Sequence, residues 1–112
     1  MARRKLLKKE HVVKTLDELL DEAKKYNKLS DKEVDYVVNK IKTYKPGDAD
    51  DLYILIYILG QASRIEYRKL VEGFLHYPSD SMISRIALIV LCDYWDYTQD
   101  YLKEIKQLLA LV

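Results

Sequence analysis

The sequence predicts an all-α fold of about six helices, stacked as three antiparallel hairpins into an α-solenoid. Apolar residues recur at i, i+3, i+4 and i+7 along most of the chain, the period of a helix face rather than of a strand. Three Gly and two Pro in 112 residues leave little room for the turns of a β-sandwich. The second half also repeats itself. A greasy helix, a short turn and an amphipathic helix over Asp50 to His76 return over Ser79 to Leu109, roughly thirty residues later. By length the chain is one domain, with residues 1–47 as a looser opening hairpin and 48–112 as two repeated ones.

The first helix is predicted from about Lys5 or Lys9 to Tyr26. Val12, Leu16, Leu19 and Ala23 form its stripe, with Val13 and Leu20 beside them; Glu10–Lys14 and Asp21–Lys25 are acid-before-base pairs at i, i+4. Asn27 suits its left-handed end. Ser30-Asp31-Lys32-Glu33 reads as a capping box ahead of a second helix, striped by Val34, Val37, Val38, Ile41 and Tyr44. Lys45-Pro46-Gly47-Asp48 is the strongest breaker and marks the main internal boundary.

Asp48, Asp50 and Asp51 then favour the positive end of a third helix, which Leu52–Leu59 carries to a closing Gly60. Ser63 or Arg64 opens the fourth, with Ile65, Leu70, Val71, Phe74 and Leu75 inward and Arg68 and Glu72 outward. Ser79 and Asp80 cap the fifth, whose buried face is Ile83, Ile86, Ala87, Val90 and Leu91. Leu88, Ile89 and Cys92 add apolar groups off that face, leaving Ser81, Ser84 and Arg85 as its wet side. A helix so apolar needs neighbours on several sides, so Pro78 to Trp95 reads as the centre of the fold. After a turn at Asp93–Tyr97, Thr98 caps a sixth helix striped by Leu102, Ile105, Leu109 and Val112.

The totals exclude several classes. With 49% hydrophobic and 33% charged residues the chain is globular, not disordered. The longest apolar runs, Leu52–Leu59 and Ile86–Cys92, fall far short of the ~20 residues of a membrane span. Met1 to Lys9 is basic but lacks the apolar segment of a signal peptide, and the lone Cys92 fits a reducing compartment. A cytoplasmic protein is expected. Ten Tyr against one Phe favour half-buried ground and protein interfaces, since Tyr has an apolar ring and a polar tip. The net charge of +1 hides a split: residues 1–47 carry +5 and residues 48–112 carry −4.

Within the repeated half, Pro78-Ser79-Asp80, Arg85-Ile86-Ala87-Leu88 and Leu91 resemble the first helix of a HEAT-type repeat. Residues 49–77 match more weakly: nothing basic stands opposite Arg85 and no Ala opposite Ala87. The resemblance implies a stack of hairpins that works by binding, usually to proteins. A freestanding helical chain of this size and style also looks like the small bacterial immunity proteins, which neutralise a cognate toxin.

No residue pattern announces a reaction. His11 and His76 lack ligand spacing and one Cys makes no zinc site, so neither a metal nor another cofactor is expected. Ser79, Ser81 and Ser84 near His76 and Asp80 lack a nucleophile elbow, and capping explains them. Asp93, Asp96 and Asp100 read as helix-end carboxylates rather than as an acid–base pair.

The richest candidate site is instead Asp93-Tyr94-Trp95-Asp96-Tyr97 with Asp100 and Tyr101: aromatic anchors beside carboxylates that would meet a basic protein. Asp35, Tyr36 and Glu72, on the second helices of the hairpins, extend it. The expectation is a non-enzymatic inhibitor of a protein partner, most concretely an immunity protein blocking a toxin with a basic active site such as a nuclease. The alternatives are a nucleic-acid-associated module using Arg3, Arg4, Lys5, Lys8 and Lys9, or a scaffold fragment of a larger assembly. Because the last hairpin carries no polar cap, an apolar patch near Leu88, Trp95, Leu108, Leu111 and Val112 is expected to meet a partner or a second copy.

Overall fold

A computed structural model describes residues 14–45, 49–77 and 80–110. It is all-helical, with no strand among the described residues. The helices are α1 (Leu16–Tyr26), α2 (Asp31–Thr43), α3 (Ala49–Gln61), α4 (Arg68–Glu72), α5 (Ser81–Ile89) and α6 (Leu102–Ala110). Short 3-10 turns at Ile65–Tyr67 and Thr98–Tyr101 lead into α4 and α6, and α5 runs on through a wider π-turn at Val90–Tyr94.

Local chemistry sets most helix ends. Ser30 and Glu33 form the expected capping box: Ser30 Oγ accepts from the Glu33 N–H at 3.2 Å, and Glu33 Oε1 accepts from the Ser30 N–H at 3.2 Å. Asn27, at φ 57, closes α1 by donating its N–H to the Ala23 carbonyl. Asp80 caps α5 through the Met82 N–H at 2.9 Å. The first helix starts later than its apolar stripe suggests. Thr15 is extended and forms a second capping box with Glu18, so α1 begins at Leu16. Glu10, His11, Val12 and Val13 lie outside the described residues, as does the breaker at 46–48.

The centre is α3 rather than α5. Leu52, Leu55, Ile56, Ile58 and Leu59 of α3 are all buried, and α1, α2 and α5 each pack on this helix. On α5 the predicted face (Ile83, Ile86, Ala87, Val90, Leu91) is buried and α3, α4 and α6 all pack on the helix, but Ile89 is exposed and Leu88 half-buried, so one stripe of it is left open. Gly60 does not close α3: the helix continues through it to Gln61, and the glycine lets α5 come close. Ser84 belongs to the core, not the wet side, because its hydroxyl accepts the Tyr77 N–H at 3.0 Å in the α4–α5 turn. Tyr77 in turn accepts a 2.7 Å bond from the Tyr44 hydroxyl, and with Phe74 these rings tie the end of α2 to that turn.

Three smaller expectations fail for related reasons. Ile65 and Leu102 are exposed, since Ile65 opens one 3-10 turn and Leu102 follows the other, and the threefold spacing rotates each off the core side. Thr98 does not cap α6. Its hydroxyl donates back to the carbonyl of Cys92, a residue of the π-turn, at 3.4 Å. Leu109 and Val112 fall outside the side chains described.

Candidate functional site

The π-turn decides the geometry of the aromatic–acidic stretch. Trp95 donates its N–H to the Val90 carbonyl at 2.9 Å, closing the turn five residues back, and Tyr97 donates to the Leu91 carbonyl at 2.8 Å. Between them Asp96 sits at φ 64, a left-handed conformation that Asp tolerates better than most residues. The reversal sends Trp95 inward and leaves Asp93, Tyr94 and Asp96 outside.

Trp95 is therefore a plug and not a surface anchor. It is 6% exposed, and its indole N–H donates to the Gly60 carbonyl at 3.3 Å. The same holds for Tyr101, 3% exposed, whose hydroxyl accepts from Arg68 Nε at 2.8 Å and donates to Glu72 at 2.8 Å. Burial pushes the Tyr101 phenol up, so it stays neutral and can serve both partners. Arg68 also pairs with Asp100 at 2.9 Å and lies 3.9 Å from the centre of the Tyr97 ring. Arg68 and Glu72 thus turn toward the α6 entry instead of outward. Tyr101→Phe strips the shared hydroxyl from both; an expected loss of about 1–3 kcal/mol in urea unfolding checks this role.

What remains on the surface is Tyr94 with its neighbours. Tyr94 is 39% exposed and stacks on Tyr57 of α3, with ring centroids 6.0 Å apart and planes 4° from parallel. The Lys24 ammonium from α1 lies 5.1 Å from the centre of the Tyr57 ring. Asp93 and Asp96 are exposed on either side of Tyr94, and neither forms an ion pair among the described residues. Tyr57 escaped the sequence reading because its ring sits in an apolar run that looked wholly buried. The half-burial of seven of the ten tyrosines was foreshadowed by their polar tips.

Asp35 and Tyr36 of α2 stand apart from this group. Asp35 is exposed and Tyr36 carries the Lys40 ammonium over its ring at 5.7 Å, with no bond or ring contact to the Tyr94 cluster among the described residues. Arg3, Arg4, Lys5, Lys8 and Lys9 lie outside the described residues. An open cleft of about 570 Å³ is lined by Tyr26, Leu29, Ala62, Ser63 and Arg64 among others, and most of its charges are paired. Arg64 donates to the Leu29 carbonyl and pairs with Asp31 and Glu66, while Lys14 bridges Glu22 and Glu33.

No protein-family model, curated protein or solved structure matches the chain. Among the described residues no helix is long and apolar enough to cross a membrane, and no three His, Cys, Asp or Glu side chains gather to hold a metal ion. Burial pushes the Cys92 thiol up, away from the thiolate that a nucleophile needs.

Proposed function

We propose that this chain is a non-enzymatic protein-binding module that captures a basic protein partner at Tyr94, Asp93 and Asp96. The observation that carries the reading is Tyr94: a ring held flat on Tyr57, partly exposed, between two exposed carboxylates that form no ion pair among the described residues. A ring fixed in advance loses little entropy on binding, and carboxylates beside it attract cationic groups at long range. Asp100 and Tyr97, already engaged with Arg68, stiffen the flank of this surface.

The architecture we propose is three stacked hairpins resembling HEAT-type repeats, with α1, α3 and α5 as the first helices of successive hairpins. The packing of α3 between α1 and α5 supports that order, while α2 packs on α3 as well. An inhibitory partner-binding role, of the kind small bacterial immunity proteins perform on a toxin such as a nuclease, fits an acidic–aromatic surface and a buried, unreactive thiol.

Pull-down from lysate with the wild-type chain and with Asp93→Asn plus Asp96→Asn tests the reading. Asn keeps the left-handed backbone at residue 96 while removing the charge. The expected outcome is capture of a basic protein by the wild type, with the double variant associating more slowly and with a flatter salt dependence. Capture of nucleic acid instead, lost when Arg3, Arg4, Lys8 and Lys9 become Ala, would sink the protein-binding reading.

A further inference from the structure

We propose that a second copy of this chain docks on the outer face of α5, around a two-fold axis that passes beside Ile89. This face shares Asp93 with the proposed partner site, so the second copy and the basic partner compete for it, and it differs from the C-terminal patch expected above; Trp95 is buried, and the side chains of Leu108, Leu111 and Val112 lie outside those described.

Three facts about α5 carry the inference. First, its outer side is apolar and uncovered: Met82 is 49% exposed and Ile89 38% exposed, on a helix whose opposite side is fully buried in the core. Second, Ile89 follows Arg85 by one α-helical turn and Asp93 follows Ile89 by four residues, close to one turn of the wider π-turn, so the three share a face. Third, Arg85 and Asp93 are both exposed, and neither forms an ion pair among the described residues.

The arrangement is self-complementary. Ile89 stands between one exposed cation, about 6 Å before it along the axis, and one exposed anion, four residues after it in the π-turn. Lay a second α5 antiparallel across the first with Ile89 against Ile89, and Arg85 of each copy falls beside Asp93 of the other. Met82 of each copy then reaches the Tyr94 end of the opposite helix. Any parallel packing would set like charges side by side, so the charge pattern selects the antiparallel pair. A two-fold contact of this kind uses the same patch twice and closes on itself, so it stops at a dimer.

Charge exchange tests this with the purified 112-residue chain alone. Sedimentation of the wild type from about 1 µM to about 1 mM is expected to show a monomer–dimer equilibrium. Arg85→Glu sets two carboxylates against each other twice per dimer, and Asp93→Lys sets two cations against each other twice. Each variant alone is expected to dimerise about tenfold more weakly or worse. An equimolar mixture of the two restores both pairs: the introduced glutamate of one copy meets the introduced lysine of the other, and the native Asp93 meets the native Arg85. That mixture is expected to dimerise at wild-type strength. Both positions are exposed, so unchanged helical circular dichroism confirms that the variants fold. A strictly monomeric wild type overturns the proposal, as does a mixture no more dimeric than its components.

Discussion

Trp95→Ala lowers the unfolding free energy by about 3–5 kcal/mol, the usual cost of truncating a buried aromatic side chain. The reason is position, not residue type. The ring is buried in the core, and its N–H satisfies the Gly60 carbonyl near the end of α3. Trp95→Phe keeps most of the packing and removes one of the two donors to that carbonyl, the Ser63 N–H at 3.2 Å remaining, for an expected loss of about 1 kcal/mol. Urea unfolding followed by far-ultraviolet circular dichroism is the suitable measurement, since Trp95 is the chain's single tryptophan and its fluorescence goes with it. A loss below about 1 kcal/mol for Trp95→Ala, together with abolished partner capture, would return Trp95 to the binding surface.

Gly60→Leu is expected to cost about 3 kcal/mol or more, at or beyond the upper end of overpacking effects. A Cβ at this position meets Val90 Cγ2 at 2.6 Å and Tyr94 Cδ2 at 2.8 Å. Real contacts are not that close, so something must move. Val90 is buried and β-branched, with one favoured rotamer in a helix, and cannot swing aside cheaply. Gly60→Ala gains about 1 kcal/mol of helix preference, yet the clash at about 1–3 kcal/mol exceeds it. The net effect of Gly60→Ala is therefore a loss of stability. Combining Gly60→Ala with Val90→Ala opens the space, so the double variant is less destabilised than the two single losses added together. Chemical denaturation of the four proteins checks this; simple additivity would mean that α3 and α5 do not touch at Gly60. Because Tyr94 is the other atom set in the way, Gly60→Leu also displaces the ring on which the proposed binding site rests.

Much of the helical layout was legible in the residues themselves, because its causes are local. A capping box acts over four residues, so Ser30 and Glu33 announced the start of α2 without any knowledge of the rest. Asn27 and Asp80 marked their helix ends for the same reason. The apolar periodicity of α5 named its buried face correctly. Thr15 and Glu18 carried an equally local signal, which the longer apolar stripe running back to Val12 outweighed.

The site was only half legible. Composition pointed to residues 93–101, since carboxylates and aromatic rings crowd there. Which rings face water was decided elsewhere. A wide turn carries Trp95 inward, and no residue type within Val90–Tyr94 encodes that turn by itself. It forms where the close approach at Gly60, the Trp95 indole bond to the Gly60 carbonyl, and Thr98 reaching the Cys92 carbonyl all meet it. Ser84 is buried because a backbone N–H seven residues earlier needs an acceptor, and Tyr101 because Arg68 and Glu72 share its hydroxyl. By itself the sequence determined where α2 and α5 begin, where α1 ends and which face of α2 and α5 is apolar, because hydrogen bonds and side-chain period act within a turn or two of chain. Only the tertiary structure decided that α3 is the centre, that Trp95 is a plug and that Tyr94 is the exposed ring, because those depend on polar groups finding partners about thirty residues away.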